Sequence, residues 1–185
     1  MGFVKGMDVS MAKALEAHGA SYYLDGKQDD LFRILKKCGT DMIRLRIWPD
    51  PYDASGAPYG GGNNDLQTTV ELAQRAKSSG MEVLLDFQYS DFWADPAKQI
   101  KPKAWKSLTG KELEAAVYLH TRETLKYLKN RGIIPAMVQV GNEITNGFLW
   151  PDGHAIAAKF WTCQKLGGNG RSFTSRNLRS ERRMS

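Results

Sequence analysis

Short apolar runs centred near positions 6, 45, 84 and 139, with an amphipathic stretch of helical length between each and the next, restrict this chain to a parallel α/β arrangement. Parallel strands cannot be joined by a tight turn, so this rhythm implies right-handed crossovers that set strands side by side under a helical layer. Phe3 to Val9 reads as the first strand. Met42 to Trp48 alternates apolar and basic residues at period two, and Pro49 closes it as a strand would be closed. Met81 to Phe87 is mostly apolar, as expected of a parallel strand covered on both faces. The fourth strand starts at Met137 and ends in an amide and a carboxylate side by side, MVQVGNE.

The connections carry their own signals. A loop through Tyr22 and Tyr23 leads to Asp29-Asp30, well placed at the positive end of the helix LFRILKKC, which Gly39 stops. Asn64 or Asp65 can cap LQTTVELAQRAKSSG, and Thr109 can cap the helix from Glu112 to about Asn130. The long decorated loops, WPDPYDASGAPYGGGNND and the segment after Phe87, follow strands rather than helices. That asymmetry favours a (β/α)8 TIM barrel, whose working face is built from the loops after its strands, over a doubly wound sheet. Four strands make only the N-terminal half of such a barrel. No GxGxxG or GxxxxGK[ST] is present, and Gly60 to Gly62 precede their helix without the Lys-Ser/Thr of a phosphate loop.

Several function classes fall away on charge and spacing. The formal charge is +6, but the segment from Lys165 to Ser185 holds six Lys or Arg against Glu181 alone, so the body of the chain is near neutral and presents no nucleic-acid face. Cys38 and Cys163 lie far apart without CxxC spacing, and His18, His120 and His154 form no metal-ligand pattern; Cys38 is expected to pack near a helix end. No run approaches the roughly 18 apolar residues of a membrane span, and MGFVKGMDVS has no signal-peptide core, so neither membrane insertion nor export is expected from these residues.

The chemistry gathers at strand ends. Retaining cleavage of a glycosidic bond needs two carboxyl groups about 5 Å apart, one protonating the leaving oxygen and one attacking the anomeric carbon. Glu143 fits the proton donor, and Asn142 beside it can bond a sugar 2-hydroxyl; the same pair taken alone is equally a polar strand end. Arg44 and Arg46 point to one face of their strand, inside a barrel, where a cation demands a carboxylate partner; either a structural or a functional ion pair satisfies that demand. Asp86 is either a second carboxylate or an orienting group. Tyr89, Phe92 and Trp93 offer flat faces on which pyranose rings can stack, or, for Phe92, an inward anchor.

Together, GMDVSMAKALEAHGASYYLDGK, RLRIWPDPYD, YGGGNNDL, LLDFQYSDFWADPAKQIKPKAW and PAMVQVGNEITNGFLWPDG resemble glycoside hydrolase family 53, the endo-β-1,4-galactanases, from about Phe3 to Gly153. The resemblance implies a (β/α)8 barrel that hydrolyses β-1,4-galactan side chains of pectin with retention, using a glutamate after strand four as acid/base and another after strand seven as nucleophile. On that basis Glu143 is the acid/base. Asn142, Arg46, Trp93, Asp95, Lys98 and Asp86 are expected to bind substrate, a galactan or arabinogalactan oligosaccharide. The resemblance implies no cofactor; the calcium site of some members would lie outside this chain. It also implies secretion as the common family habit. Gln88 stands where the family usually has His, which removes a titratable group near the site.

After Gly153 the resemblance stops. No glutamate follows Glu143 except Glu181, in RSERRMS, so the nucleophile is absent. The expectation is a half-barrel over 1–158 and a divergent basic tail over 159–185, disordered or produced by a frame shift near His154 to Lys165. Such a chain is expected to be inactive alone and to self-associate through open sheet edges. The alternatives are a module that binds galactan without cutting it, or nucleic-acid binding through the tail, against which stands an accidental basic end.

Overall fold

The computed structural model describes residues 3–154. The expected boundary at 158, the basic tail, Cys163 and Glu181 lie outside the described residues. Four parallel strands, β1 (Gly6–Asp8), β4 (Met42–Ile47), β5 (Glu82–Phe87) and β6 (Met137–Val140), form one sheet in that spatial order. Helices α2 (Leu31–Lys37), α3 (Leu66–Ser78) and α4 (Gly110–Lys129) make the crossovers. This is the partial barrel that the strand–helix rhythm implied.

Alternation divides the sheet into two faces. Ile43, Leu45 and Ile47 stand in register with Val83, Leu85 and Phe87, and all six are buried in one cluster with Val70, Leu72, Ala73 and Ala76 of α3 and Leu113 and Leu128 of α4. Each large side chain fully buried there stabilises the fold by roughly 1.5–3 kcal/mol. The intervening positions Arg44, Arg46, Leu84, Asp86 and Gln139 share the opposite face, the concave side of the curved sheet. β6 continues the alternation at the sheet edge, where Met137, Val138 and Val140 are 53%, 40% and 54% exposed.

The caps follow the expected chemistry at two helices. Asp30 accepts from the amides of Phe32 and Arg33, and Asp65, rather than Asn64, accepts from Thr68. Thr109 occupies the N-cap of α4 but makes no side-chain cap bond. Asp29 pairs with Arg33 and Lys37.

Four expectations need correction. The first strand is three residues long, because β4 is paired with Gly6 to Asp8 only. The segment read as a loop through Tyr22 and Tyr23 holds α1 (Ala12–Ala17) and a hairpin, β2 (Tyr22–Leu24) with β3 (Lys27–Asp29). Its two-residue turn is Asp25-Gly26, both at positive φ (51° and 74°), the dipeptide that a type I′ turn demands. Cys38 sits at the end of α2 but is exposed rather than packed. Tyr89 is buried at 3% exposure, parallel to Phe87 and donating or accepting at Thr121 Oγ1 (2.8 Å), so its ring belongs to the core and offers no face to a sugar.

His120 on α4 lies among the rings of Phe87, Tyr89 and Trp105, and its Nε2 is buried with no partner among the described residues. Burial pushes its pKa down to about 4 from an ordinary 6.5. The unfolded chain therefore takes up this proton first, and the stability that neutral His120 contributes is full above about pH 6.5 and lost as the pH falls towards 4, on the order of 2–3 kcal/mol. Urea unfolding at both ends of this window is expected to show His120→Phe losing less stability on acidification than the parent chain. Equal losses in the two chains would show that His120 does not carry the effect.

Candidate functional site

The concave face is organised by Arg44. Its guanidinium donates to Asp8 Oδ2 on β1 (2.6 Å), to Asp86 Oδ2 on β5 (2.7 Å) and to Asn142 Oδ1 just beyond β6 (3.0 Å), with longer contacts to Gln139 Oε1 (3.4 Å). One side chain thus links all four strands of the sheet. Only a planar fork with five N–H donors can meet that many acceptors at once.

Asp86 is fully buried, and burial raises its pKa to about 6 although the Arg44 charge and a Gln88 hydrogen bond pull it down. Its Oδ1 has no hydrogen-bond partner among the described residues. Asp8 is also penalised by burial, but bonds from the Ser10 amide and hydroxyl, the Arg46 charge and the Arg44 hydrogen bond outweigh that and hold its carboxyl below the usual range.

The Asn142 amide is fixed at both ends. Its oxygen accepts from Arg44 and from Gln139 Nε2 (3.3 Å), and its nitrogen donates to the Ala94 carbonyl (2.7 Å). Glu143 follows in left-handed backbone, φ 52° and ψ 42°, and its exposed carboxylate has neither ion pair nor hydrogen bond among the described residues. Gly141 permits this reversal: at φ 83° a Cβ there would lie 2.6 Å from Ile144 Cγ2.

Arg46 goes elsewhere than Arg44. Its guanidinium stacks 4.1 Å from the Trp93 ring and donates to the Gly61 carbonyl (3.3 Å), and burial lowers its pKa. Trp93 is half-buried in an aromatic cluster with Trp48 and Phe92. The triple glycine packs on this cluster: a Cβ at Gly61, φ 63°, would stand 3.1 Å from both Trp48 and Trp93. Asp95 and Lys98 form the next turn, where Asp95 Oδ1 accepts from the Ala97 and Lys98 amides and Oδ2 lies 3.7 Å from Lys98 Nζ.

Gln88 takes three partners. Its oxygen accepts from Trp48 Nε1 (2.9 Å) and the Ala94 amide (3.1 Å), and its nitrogen donates to Asp86 Oδ2 (3.4 Å). The structure therefore gathers Asn142, Glu143, Asp86, Arg46 and Trp93 around the C-terminal strand ends, with Asp95 and Lys98 in the adjoining loop. Arg44, absent from the expected substrate-binding set, is the residue that joins Asp86 to Asn142; the signal for it is the alternation in MIRLRI, which marks two inward cations without saying which one reaches Asn142. Among the described residues, no three His, Cys, Asp or Glu are grouped to hold a metal ion, and no helix is long and apolar enough to cross a membrane.

Removing Arg44 would leave a buried carboxylate without its cation. Arg44→Met is expected to cost about 3 kcal/mol or more in urea unfolding at neutral pH. Arg44→Met/Asp86→Asn should recover part of that loss; no recovery would show that Asp86 is not the group Arg44 stabilises.

Comparison with known proteins agrees with this fold. The sequence model of Glycosyl hydrolase family 53 matches residues 4–173. The endo-β-1,4-galactanase of Bacillus subtilis is 50% identical over 147 residues, 79% of this chain and 34% of that protein. The arabinogalactan endo-β-1,4-galactanase of Cellvibrio japonicus is 42% identical over 142 residues, 76% of this chain and 36% of that protein. The solved GH53 catalytic domain of Ignisphaera aggregans superposes with a TM-score of 0.81 at 53% identity, covering 83% of this chain and 43% of that one. The chain thus spans well under half the length of the relatives it matches. With most of its length matched, and with its strands, helices and inward-facing polar residues arranged as a partial barrel, the chain belongs to glycosyl hydrolase family 53.

Proposed function

We propose that this chain supplies the first four barrel strands of an endo-β-1,4-galactanase site, with Glu143 as the proton donor of a retaining hydrolysis. The observation that carries this reading is the contrast at the end of β6: Asn142 is held by Arg44 and Ala94, while the neighbouring Glu143 carboxylate is exposed and has no partner among the described residues. A general acid must reach solvent and substrate, and an amide that orients a 2-hydroxyl must not move. Relatives named as galactanases support galactan or arabinogalactan as the ligand.

In a complete barrel Glu143 would protonate the glycosidic oxygen as a carboxylate from a further strand bonds the anomeric carbon, and would then take a proton from the water that displaces that carboxylate and releases the sugar. Asn142 contacts the 2-hydroxyl. Trp93 carries a sugar ring on its open face while Arg46 fixes its other face, and Asp95 with Lys98 lines the adjoining loop. Asp86 acts through Arg44. The attacking carboxylate has no counterpart among the described strand ends, because Asp86 is sealed against Arg44 and Gln88. The 185 residues are therefore proposed to bind galactan without cutting it. The half-barrel over 1–158 does this work, the remaining basic segment has no part in it, and the site uses no cofactor, nucleic acid or membrane.

Exposed Met137, Val138 and Val140 on β6 and Phe3, 89% exposed, before β1 favour self-association through the sheet edges. Sedimentation velocity is expected to show species larger than a monomer, and a clean monomer would contradict that part of the proposal.

Galactan affinity electrophoresis and a reducing-end assay on one sample test the rest. The chain should be retarded by galactan, with affinity about five- to tenfold weaker in Trp93→Ala, an aromatic contact of about 1 kcal/mol or slightly more. No reducing ends should appear above the Glu143→Gln background. Release that disappears in Glu143→Gln would show that the chain cuts by itself, and absence of retardation would remove galactan as its ligand.

A further inference from the structure

Gln99 is 2% exposed and lies in the loop after β5, and its partners lie in that loop and in the segment after β6. Its Nε2 donates to the Asn142 carbonyl (2.8 Å) and the Asp95 carbonyl (3.2 Å), and lies 3.5 Å from the Glu143 carbonyl. Its own backbone carbonyl accepts from the Trp150 amide (2.7 Å). A single buried residue therefore brackets the segment that carries Glu143, at its start through the side chain and at its end through the main chain.

The need for such a bracket is local. The sheet ladder ends at Gly141, whose amide bonds the Phe87 carbonyl (2.9 Å). Beyond it Gly141 and Glu143 both take positive φ, 83° and 52°, which turns the next carbonyls away from β5 and out of the ladder. Glu143 has a side chain in a region that such residues rarely adopt, so the conformation persists only if its surroundings impose it. The half-buried Asn142 carbonyl freed in this way takes its donor from Gln99.

We propose that Gln99 is a positioning residue for Glu143, holding it in the left-handed turn that presents its carboxylate at the strand end. This rests on the reading of Glu143 as the proton donor, but the arrangement it predicts is measurable without any reaction. Gln99 acts on the backbone, and touches neither sugar nor carboxylate.

The test is NMR of the full chain, labelled with ¹³C and ¹⁵N, following the torsion-sensitive Cα and Cβ shifts of Glu143 in Gln99→Met and Gln99→Glu, with Leu45 and Leu85 as reporters of the sheet. Gln99→Met removes the donor, so Glu143 should lose its left-handed shifts at every pH while the sheet signals hold. Gln99→Glu keeps the shape and makes donation depend on protonation: the shifts should be lost at about pH 8, where a carboxylate faces the carbonyls, and return towards about pH 5 as the acid form donates. A purely structural filler would show no such recovery. Left-handed shifts that persist in Gln99→Met overturn the proposal. If that variant does not fold, Gln99→Glu decides: recovery at low pH supports the role, and identical shifts at both pH values overturn it. A chain that follows this pattern but does not bind galactan contradicts the functional reading and leaves the role of Gln99 standing.

Discussion

A single guanidinium, that of Arg44, ties β1, β5 and the end of β6 to β4, and the rest of the concave face depends on it. Placing charges in a sheet interior is costly, and the cost is offset by pairing opposite charges and hydrogen-bonding them. Asp8 and Asp86 supply the opposite charge, Gln139 fills the remaining space, and Asn142 takes the last acceptor position. The site amide is thus a member of the same network that holds the strands in register. An error in strand pairing would break the ion pairs, and loss of the ion pairs would release the amide.

The two faces of the sheet divide the labour by alternation. One face is apolar and buried under α3 and α4, so it contributes most of the stability; the other is polar and can be built for recognition. The loops are then joined to one another rather than left free. Asn146 Nδ2 donates to the Pro96 carbonyl (3.1 Å), and Lys101, with a side chain only 6% exposed, pairs with Asp152 (2.8 Å). These bonds run between the loop after β5 and the loop after β6, so Trp93 and Glu143 stand on one connected surface.

Much of this was legible in the residues. Period-two alternation located β4 and β5 and turned Arg44 and Arg46 inward, and a polar pair after an apolar run marked Asn142 and Glu143 at a strand end. What escaped had no period to betray it. Helix α1 is six residues long with Met11 at its N-cap and no side-chain cap bond, too short for an amphipathic signature. The hairpin did carry a signal, Asp25-Gly26 between YYL and KQD, but only as a single dipeptide. Tyr89 lies in an aromatic run and shares its neighbours' pattern, whereas its left-handed backbone, φ 51°, directs it to the core. Gln99 escaped entirely, because a side chain that bonds the carbonyls of a distant turn leaves no local trace.

The proposed galactan site rests on one network that sets Asn142 beside an exposed Glu143. A crystal structure of the chain soaked with a galactose oligosaccharide tests it most directly. The account predicts a sugar 2-hydroxyl on Asn142, the glycosidic oxygen within hydrogen-bond reach of the Glu143 carboxylate, and Asn142 Oδ1 still on Arg44. A sugar bound away from the strand ends, or an Asn142 amide turned off Arg44 to meet it, would contradict the account.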